Sequence, residues 1–274
     1  MNRKEIADLI VAKLEREESS MRDCYVRSKD KIGMFTVDDL LPEELAHRLY
    51  VSFPDRSAMK LRKSLRESKY IAVQMNQYSP ILEEAIFAFQ DPRVVSIVSR
   101  VCENDQLLPD ESLYAGGISL MANEQFLNPH LDNSHDKDRN RWRVFNLLYY
   151  VTPDWKVEDG GNLELWPDGM SGDPLTIHSK FNRLAVMATH QGSWHSVSPV
   201  KSRSNRCCIS NYYFSNSPLK ETDRFHVTSF RGRPGQRFRD FILKGDRMIR
   251  MLVRGLFRKG VVENKHVYRK STPQ

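Results

Sequence analysis

From Tyr114 onward the sequence breaks into short extended runs separated by turn signals. The runs are Ile118–Met121, the stretch around His130, Trp142–Val151, Asn162–Trp166, Leu175–Ile177, Leu184–Ala188, His195–Val200 and Arg206–Phe214. Between them stand Asp159-Gly160-Gly161, Pro167-Asp168-Gly169, Ser171-Gly172-Asp173-Pro174 and Gln191-Gly192, residues that set tight turns. About eight short strands at this spacing predict a jelly roll or double-stranded β-helix, a cupin-like barrel. Helical patterns lie on both sides, so the expected class is mainly β with flanking helices, α+β.

Pro129-His130-Leu131-Asp132-Asn133 lies on the second of these runs. Strand side chains alternate with period two, so His130 and Asp132 point to one face. One imidazole nitrogen and one carboxylate oxygen can then reach one metal ion. A second histidine completes a 2-His-1-carboxylate set, and His195, in Ser193-Trp194-His195-Ser196-Val197, is the best placed. Arg206 follows eleven residues later in Asn205-Arg206-Cys207-Cys208-Ile209-Ser210. A bare His-x-Asp is common by chance; the ordered set is not.

That order, with Gly160-Gly161-Asn162-Leu163-Glu164-Leu165-Trp166 between the histidines, resembles the prolyl-4-hydroxylase-like branch of the Fe(II)/2-oxoglutarate dioxygenases. The resemblance runs from about Gly116 to Phe214. It takes in Leu148-Tyr149-Tyr150-Val151 leading into Asp154-Trp155, Lys180-Phe181-Asn182-Arg183-Leu184, and Arg206 through Tyr213-Phe214. It implies Fe(II) held by His130, Asp132 and His195, with 2-oxoglutarate and O2 as cosubstrates and ascorbate as a candidate reductant. It also implies that Arg206 grips the distal carboxylate of 2-oxoglutarate, with Tyr150 beside it. Strand alternation puts Arg206, Cys208 and Ser210 on one face, with Ser210 a neighbour of the cosubstrate. The reaction expected is hydroxylation of an unactivated C–H bond with release of succinate and CO2. Because Asp132 is present, halogenation, which needs that ligand position open, is disfavoured. Departures from the oxygen-sensing prolyl hydroxylases weigh against prolyl specificity. Gly117–Asn128 contains no tyrosine, and the His195–Arg206 gap is longer.

The expected substrate is therefore a small molecule or a saccharide or glycolipid. A peptidyl (prolyl) hydroxylase, an oxygen or 2-oxoglutarate sensor, and a non-catalytic cupin-like binding protein are the alternatives. Other histidines read as bland: His135 as a loop residue near the site mouth, His178, His190 and His226 as structural. Arg183 reads as a turn anchor, Trp166 and Trp194 as core, and Arg141 and Arg143 as a solvated strand edge.

Three regions are expected within one integrated domain: helical support over 1–110, the catalytic barrel over 111–220 and a basic helical extension over 221–274. In the first, Ile6, Leu9, Ile10 and Leu14 have helical spacing. Phe35–Leu41 reads as a strand entering a helix at Pro42. Residues 57–70, basic and charged, read as a loop or helix near the site mouth, with an ordinary solvated face the plainer expectation, and Pro80–Gln90 and Val94–Val101 as two apolar helices. The net charge of +7 is concentrated at the end: Arg231–Lys270 carries 13 Lys+Arg against 3 Asp+Glu, leaving −3 elsewhere. From about Gln236 to Lys259 apolar and basic residues alternate with helical period. The plain expectation is a helix with its apolar face on the barrel and its basic face in water. The sharper one is a cationic surface for an anionic membrane or an acidic saccharide, with nucleic acid ranked last. Four cysteines without a CxxC pair, and the lack of an apolar run of about 18 residues, lead to the expectation of a reducing, cytoplasmic setting or the inner face of a membrane.

Overall fold

A computed structural model describes residues 1–256 and 268. In chain order the elements are α1 (Arg3–Ser28), β1 (Met34–Val37), α2 (Glu43–Val51), β2 (Lys60–Lys63), β3 (Glu67–Ala72), α3 (Pro80–Ala88), α4 (Pro92–Val101) and β4 (Leu108–Pro109). Then come β5 (Gly117–Met121), β6 (Phe126–Leu131), β7 (Trp142–Tyr150), β8 (Leu163–Leu165), β9 (Leu175–Ile177), β10 (Arg183–Ala188), β11 (His195–Val197), β12 (Arg206–Ser215), β13 (Ser229–Phe230) and α5 (Arg237–Leu256). The strands form one curled antiparallel sheet in the order β1-β10-β7-β12-β5-β3-β6-β11-β8-β9, with β2 on β3, β4 on β12 and β13 on β6. This is the jelly-roll core with flanking helices.

Residue alternation decides which side of the sheet each side chain serves. On β10, Leu184, Val186 and Ala188 join the larger core under the helices, while Ala185 and Met187 face the barrel interior. On β12, Cys207 and Ile209 go outward and Cys208 inward. The outer core is closed by α1, α3 and α4. Asn2 caps α1 through a reciprocal bond with Glu5, and the helix buries Ile6, Ile10, Leu14, Met21 and Tyr25 along one stripe. It runs well past Leu14, to Ser28, because Met21 and Tyr25 continue that stripe. Both α3 and α4 start with proline at the first helical position, where its missing N–H costs nothing, and Asp91 caps α4.

The expectation for residues 57–70 is overturned. They form the β2–β3 hairpin, and β3 then bridges β5 and β6: Tyr70 stands opposite Leu120, and Ser68 opposite Phe126. The region before residue 110 is therefore more than helical support. A run such as Lys60-Leu61-Arg62-Lys63 shows no apolar alternation, because neither of its faces meets the core.

Asn182 ties the barrel to its N-terminal cover. Its backbone is left-handed (φ 59°), a region asparagine tolerates better than most residues. Its Oδ1 accepts from the Leu41 amide (3.1 Å) and the Tyr149 hydroxyl (2.7 Å), while its Nδ2 donates to the Leu41 carbonyl (2.7 Å). Asn182→Ala orphans three buried polar groups and is expected to cost about 3 kcal/mol. At about 2–4 °C per kcal/mol for a chain of this size, the melting temperature should fall by roughly 6–12 °C. Tyr149→Phe, which removes one bond, should cost about 1 kcal/mol. Calorimetric or circular-dichroism melts check both.

Candidate metal centre

β6 and β11 are antiparallel neighbours, and their register sets His195 directly opposite His130. The two rings lie 4.1 Å apart, centre to centre, and Phe230 stacks on the far side of His130 at 5.2 Å. Asp132 follows the last residue of β6 and turns back toward both rings. His130 Nε2 is 3.7 Å from Asp132 Oδ1, and His195 Nε2 is 3.7 Å from Asp132 Oδ2. All three are largely buried, and among the described residues they are the one group of His, Cys, Asp and Glu whose donor atoms converge, within 4.8 Å of one another.

Backbone carbonyls orient the rings. His130 Nδ1 donates to the Asn128 carbonyl (3.0 Å) and His195 Nδ1 to the Ser193 carbonyl (2.9 Å). A carbonyl only accepts, so in the neutral rings each Nε2 keeps its lone pair, aimed inward. Burial pushes His130 down to about 3, with His195 adding to the effect, so the imidazole stays neutral as a metal ligand must. Burial alone would raise Asp132. The Arg143 guanidinium and the two histidines outweigh it and hold the carboxyl below its ordinary value. Asp132 Oδ2 has no hydrogen-bond partner among the described residues. Two lone pairs and an ionised, under-satisfied carboxylate fit a divalent ion such as Fe(II), which these three residues would hold.

Arg206 occupies the first position of β12, facing inward beside Met121, its cross-strand partner. It is buried, donates to the Ser179 hydroxyl (3.2 Å) and lies against the Met121 sulfur (3.8 Å). Its guanidinium sits 4.8 Å from the centre of the Tyr150 ring. No carboxylate pairs with it among the described residues. Tyr150 is fully buried beside Arg206 and Ser179, and burial pushes it up to about 12 despite the opposing charge of Arg206. Gly161 (φ 63°) makes room for this arrangement, since a Cβ there would come within 2.7 Å of Arg206 Cδ. Ser210, two residues beyond Cys208 on the same face, lines the cavity above the triad.

That cavity measures about 730 Å³ and is walled by His130, Asp132, Tyr114, Ser210, Tyr212 and a set of cations. Arg62 and Lys69 share one carboxylate, Glu67, at 3.7 and 3.1 Å. Arg66 and Arg250 share Asp246. Arg143 stands 3.4 Å from Asp132 Oδ1 and over the Tyr212 ring at 4.5 Å.

Arg143 therefore corrects the solvated-edge expectation. The ladder between β7 and β12 shifts register at Tyr213/Phe214, where Val144 is the extra residue. This bulge turns Arg143 to the same face as Asn146 and Tyr150. Alternation cannot reveal a bulge; the basic residues of 57–70 do line the site mouth, but from a hairpin rather than a loop or helix. His135 is buried, lines the cavity and stacks on Phe225, but stands outside the triad. His178 bonds the Trp155 carbonyl (2.8 Å), and His190 accepts from the Gly192 amide (3.0 Å). His226 is buried, and neither ring nitrogen has a hydrogen-bond partner among the described residues. Arg183 anchors its turn to Asp38 and the His178 carbonyl, Trp166 is core, Trp194 is half-buried, and Arg141 is exposed.

Residues 116–214 match the model of the 2OG-Fe(II) oxygenase superfamily, whose members use Fe(II), 2-oxoglutarate and O2. Comparison with curated proteins finds no match. Among solved structures the chain is similar in fold to a Pseudomonas putida prolyl-4-hydroxylase (16% identity, TM-score 0.53, 70% of this chain and 97% of that one). It is also similar to a Trichoplax adhaerens prolyl hydroxylase solved with a hypoxia-inducible-factor peptide fragment (20%, 0.51, 73% and 91%). A third is SnoN, a 2-oxoglutarate-dependent epimerase of nogalamycin biosynthesis (12%, 0.53, 81% and 89%).

Asp132→Ala is expected to weaken Fe(II) or Mn(II) binding at least about a hundredfold, since it removes the only anionic ligand. His135→Ala should leave affinity within about twofold. Anaerobic calorimetric titration, with circular dichroism to verify folding, checks the pair.

Proposed function

For a chain whose residues 116–214 place it in the 2OG-Fe(II) oxygenase superfamily, we propose hydroxylation of an unactivated C–H bond in an anionic small molecule, saccharide or glycolipid. The observation that carries the cosubstrate assignment is Arg206. A buried guanidinium without an ionic partner is costly. A carboxylate matches its fork of donors, and the buried Tyr150 stands beside it. We assign His130, Asp132 and His195 to the metal, Arg206 and Tyr150 to the distal carboxylate of 2-oxoglutarate, and Ser210 to the cosubstrate's flank. With iron, 2-oxoglutarate and O2 bound, the site supplies an oxidant able to insert one oxygen atom into C–H, with succinate and CO2 released.

The residues around the cavity supply binding and charge. Each of Glu67 and Asp246 faces two cations, so each pair leaves one positive charge over. Burial holds Arg250 below its ordinary value, with the Arg66 charge adding to the effect, as expected where cations crowd. A substrate bearing phosphate or carboxylate would relieve that crowding; a neutral prolyl peptide would not.

Arg206→Ala should raise the KM for 2-oxoglutarate about 10- to 100-fold, the worth of charge-assisted hydrogen bonds, while the Kd for Fe(II) moves less than about twofold. Equal shifts in both would make Arg206 structural. Succinate release over a panel of matched anionic and neutral compounds tests the substrate class. Anionic members should accelerate turnover and their neutral counterparts should not. Acceleration by neutral prolyl peptides would instead establish the peptidyl alternative.

A further inference from the structure

α5 is turned the opposite way from the plain expectation of its sequence. Phe238, Phe241, Met248, Ile249 and Leu252 are between 63 and 78% exposed, and Ile242 is 37% exposed. With 3.6 residues per turn, these positions and Gly245 fall in one band about 120° wide, extending roughly 21 Å along the helix. The face toward the body is mostly polar. Asp240 is bound by Arg231 and the Gly232 amide, Asp246 by Arg66 and Arg250, and Arg239 lies over Phe126 at 5.7 Å. Leu243 is the one fully buried apolar side chain of the described part of the helix, packed with Val197 and Phe230. Ion pairs thus hold the helix with its apolar side outward. The helix expected to run to Lys259 is described as far as Leu256; Arg258 and Lys259 lie outside the described residues, as do the side chains of Arg254 and Leu256.

We propose that α5 lies flat on an anionic lipid bilayer, with this apolar band entering the headgroup–acyl boundary. An interfacial helix needs a continuous apolar face, cations beside it and modest overall hydrophobicity. All three are present: the helix carries six Lys+Arg against two Asp+Glu. Arg237 and Lys244, both exposed, run along one edge of the band. Among the described residues Lys244 pairs with Asp240 alone (3.1 Å), which Arg231 already shares. Two bands pairing in a dimer of this chain would add repulsion between those cations, whereas anionic lipid neutralises them. No helix among the described residues is long and apolar enough to cross a membrane, so the attachment is peripheral. Arg250 and Val253, from the adjoining face of α5, wall the cavity above the triad. Docking therefore brings one side of that cavity to the headgroup layer. The inference does not depend on the hydroxylase reading.

The test is co-sedimentation of the full chain with vesicles of equal phosphatidylglycerol and phosphatidylcholine, and with phosphatidylcholine alone. The wild type should bind the anionic vesicles and bind the neutral ones at least about tenfold more weakly. Phe241→Ser with Ile249→Ser, and separately Arg237→Glu with Lys244→Glu, should each lower binding at least about tenfold. These side chains are exposed, so melting temperatures should be unchanged. Equal binding by the variants, or equal binding to both vesicle types, overturns the proposal. So does a lack of vesicle binding together with a dimer, seen by sedimentation velocity, that Phe241→Ser with Ile249→Ser dissolves. Metal affinity measured on the same preparations separates failure of docking from failure of the catalytic assignment.

Discussion

Asp132 is a carboxylate withdrawn from water, and the site is built around compensating its charge. Two imidazoles and one guanidinium close on it. Backbone carbonyls hold both rings in place. Arg143 supplies part of the counter-charge from 3.4 Å, and an ion at the focus of the three ligands would supply the rest. The fold serves this by register. Because β6 and β11 pair with His130 opposite His195, two distant pieces of sequence place their ring nitrogens within reach of one carboxylate.

A second unbalanced charge, Arg206, sits on the inner face of β12 and has no carboxylate partner among the described residues. The triad and Arg206 are linked through packed side chains rather than through a hydrogen-bond chain. Met121 touches Arg206 and belongs to one apolar cluster with Val197 and Phe230, and Phe230 stacks on His130. An apolar floor between two charged poles suits a ligand that is charged at both ends and must be kept from bulk water.

Much of this was legible from residue types and spacing. The eight barrel strands, the triad and the inward face of Arg206, Cys208 and Ser210 follow from period-two alternation and from ligand chemistry. What was not legible depends on relations that alternation does not encode. The Val144 bulge reverses the parity of Arg143. The β2–β3 hairpin lacks an apolar face, because one side of it meets a cavity and the other meets water. For α5 the 3.6-residue period identifies the helix, but period alone does not say which face meets the body. Ion pairs to Arg66 and Arg231, residues far away in sequence or beyond a turn, decide it.

The central claim is that the triad and Arg206 together hold iron and 2-oxoglutarate. Its most direct test is an anaerobic titration of metal-free protein with Fe(II), then 2-oxoglutarate, followed by visible absorption. A metal-to-ligand charge-transfer band that appears only when both are present is the predicted result. Iron binding with no band on adding 2-oxoglutarate, in folded protein, would contradict it.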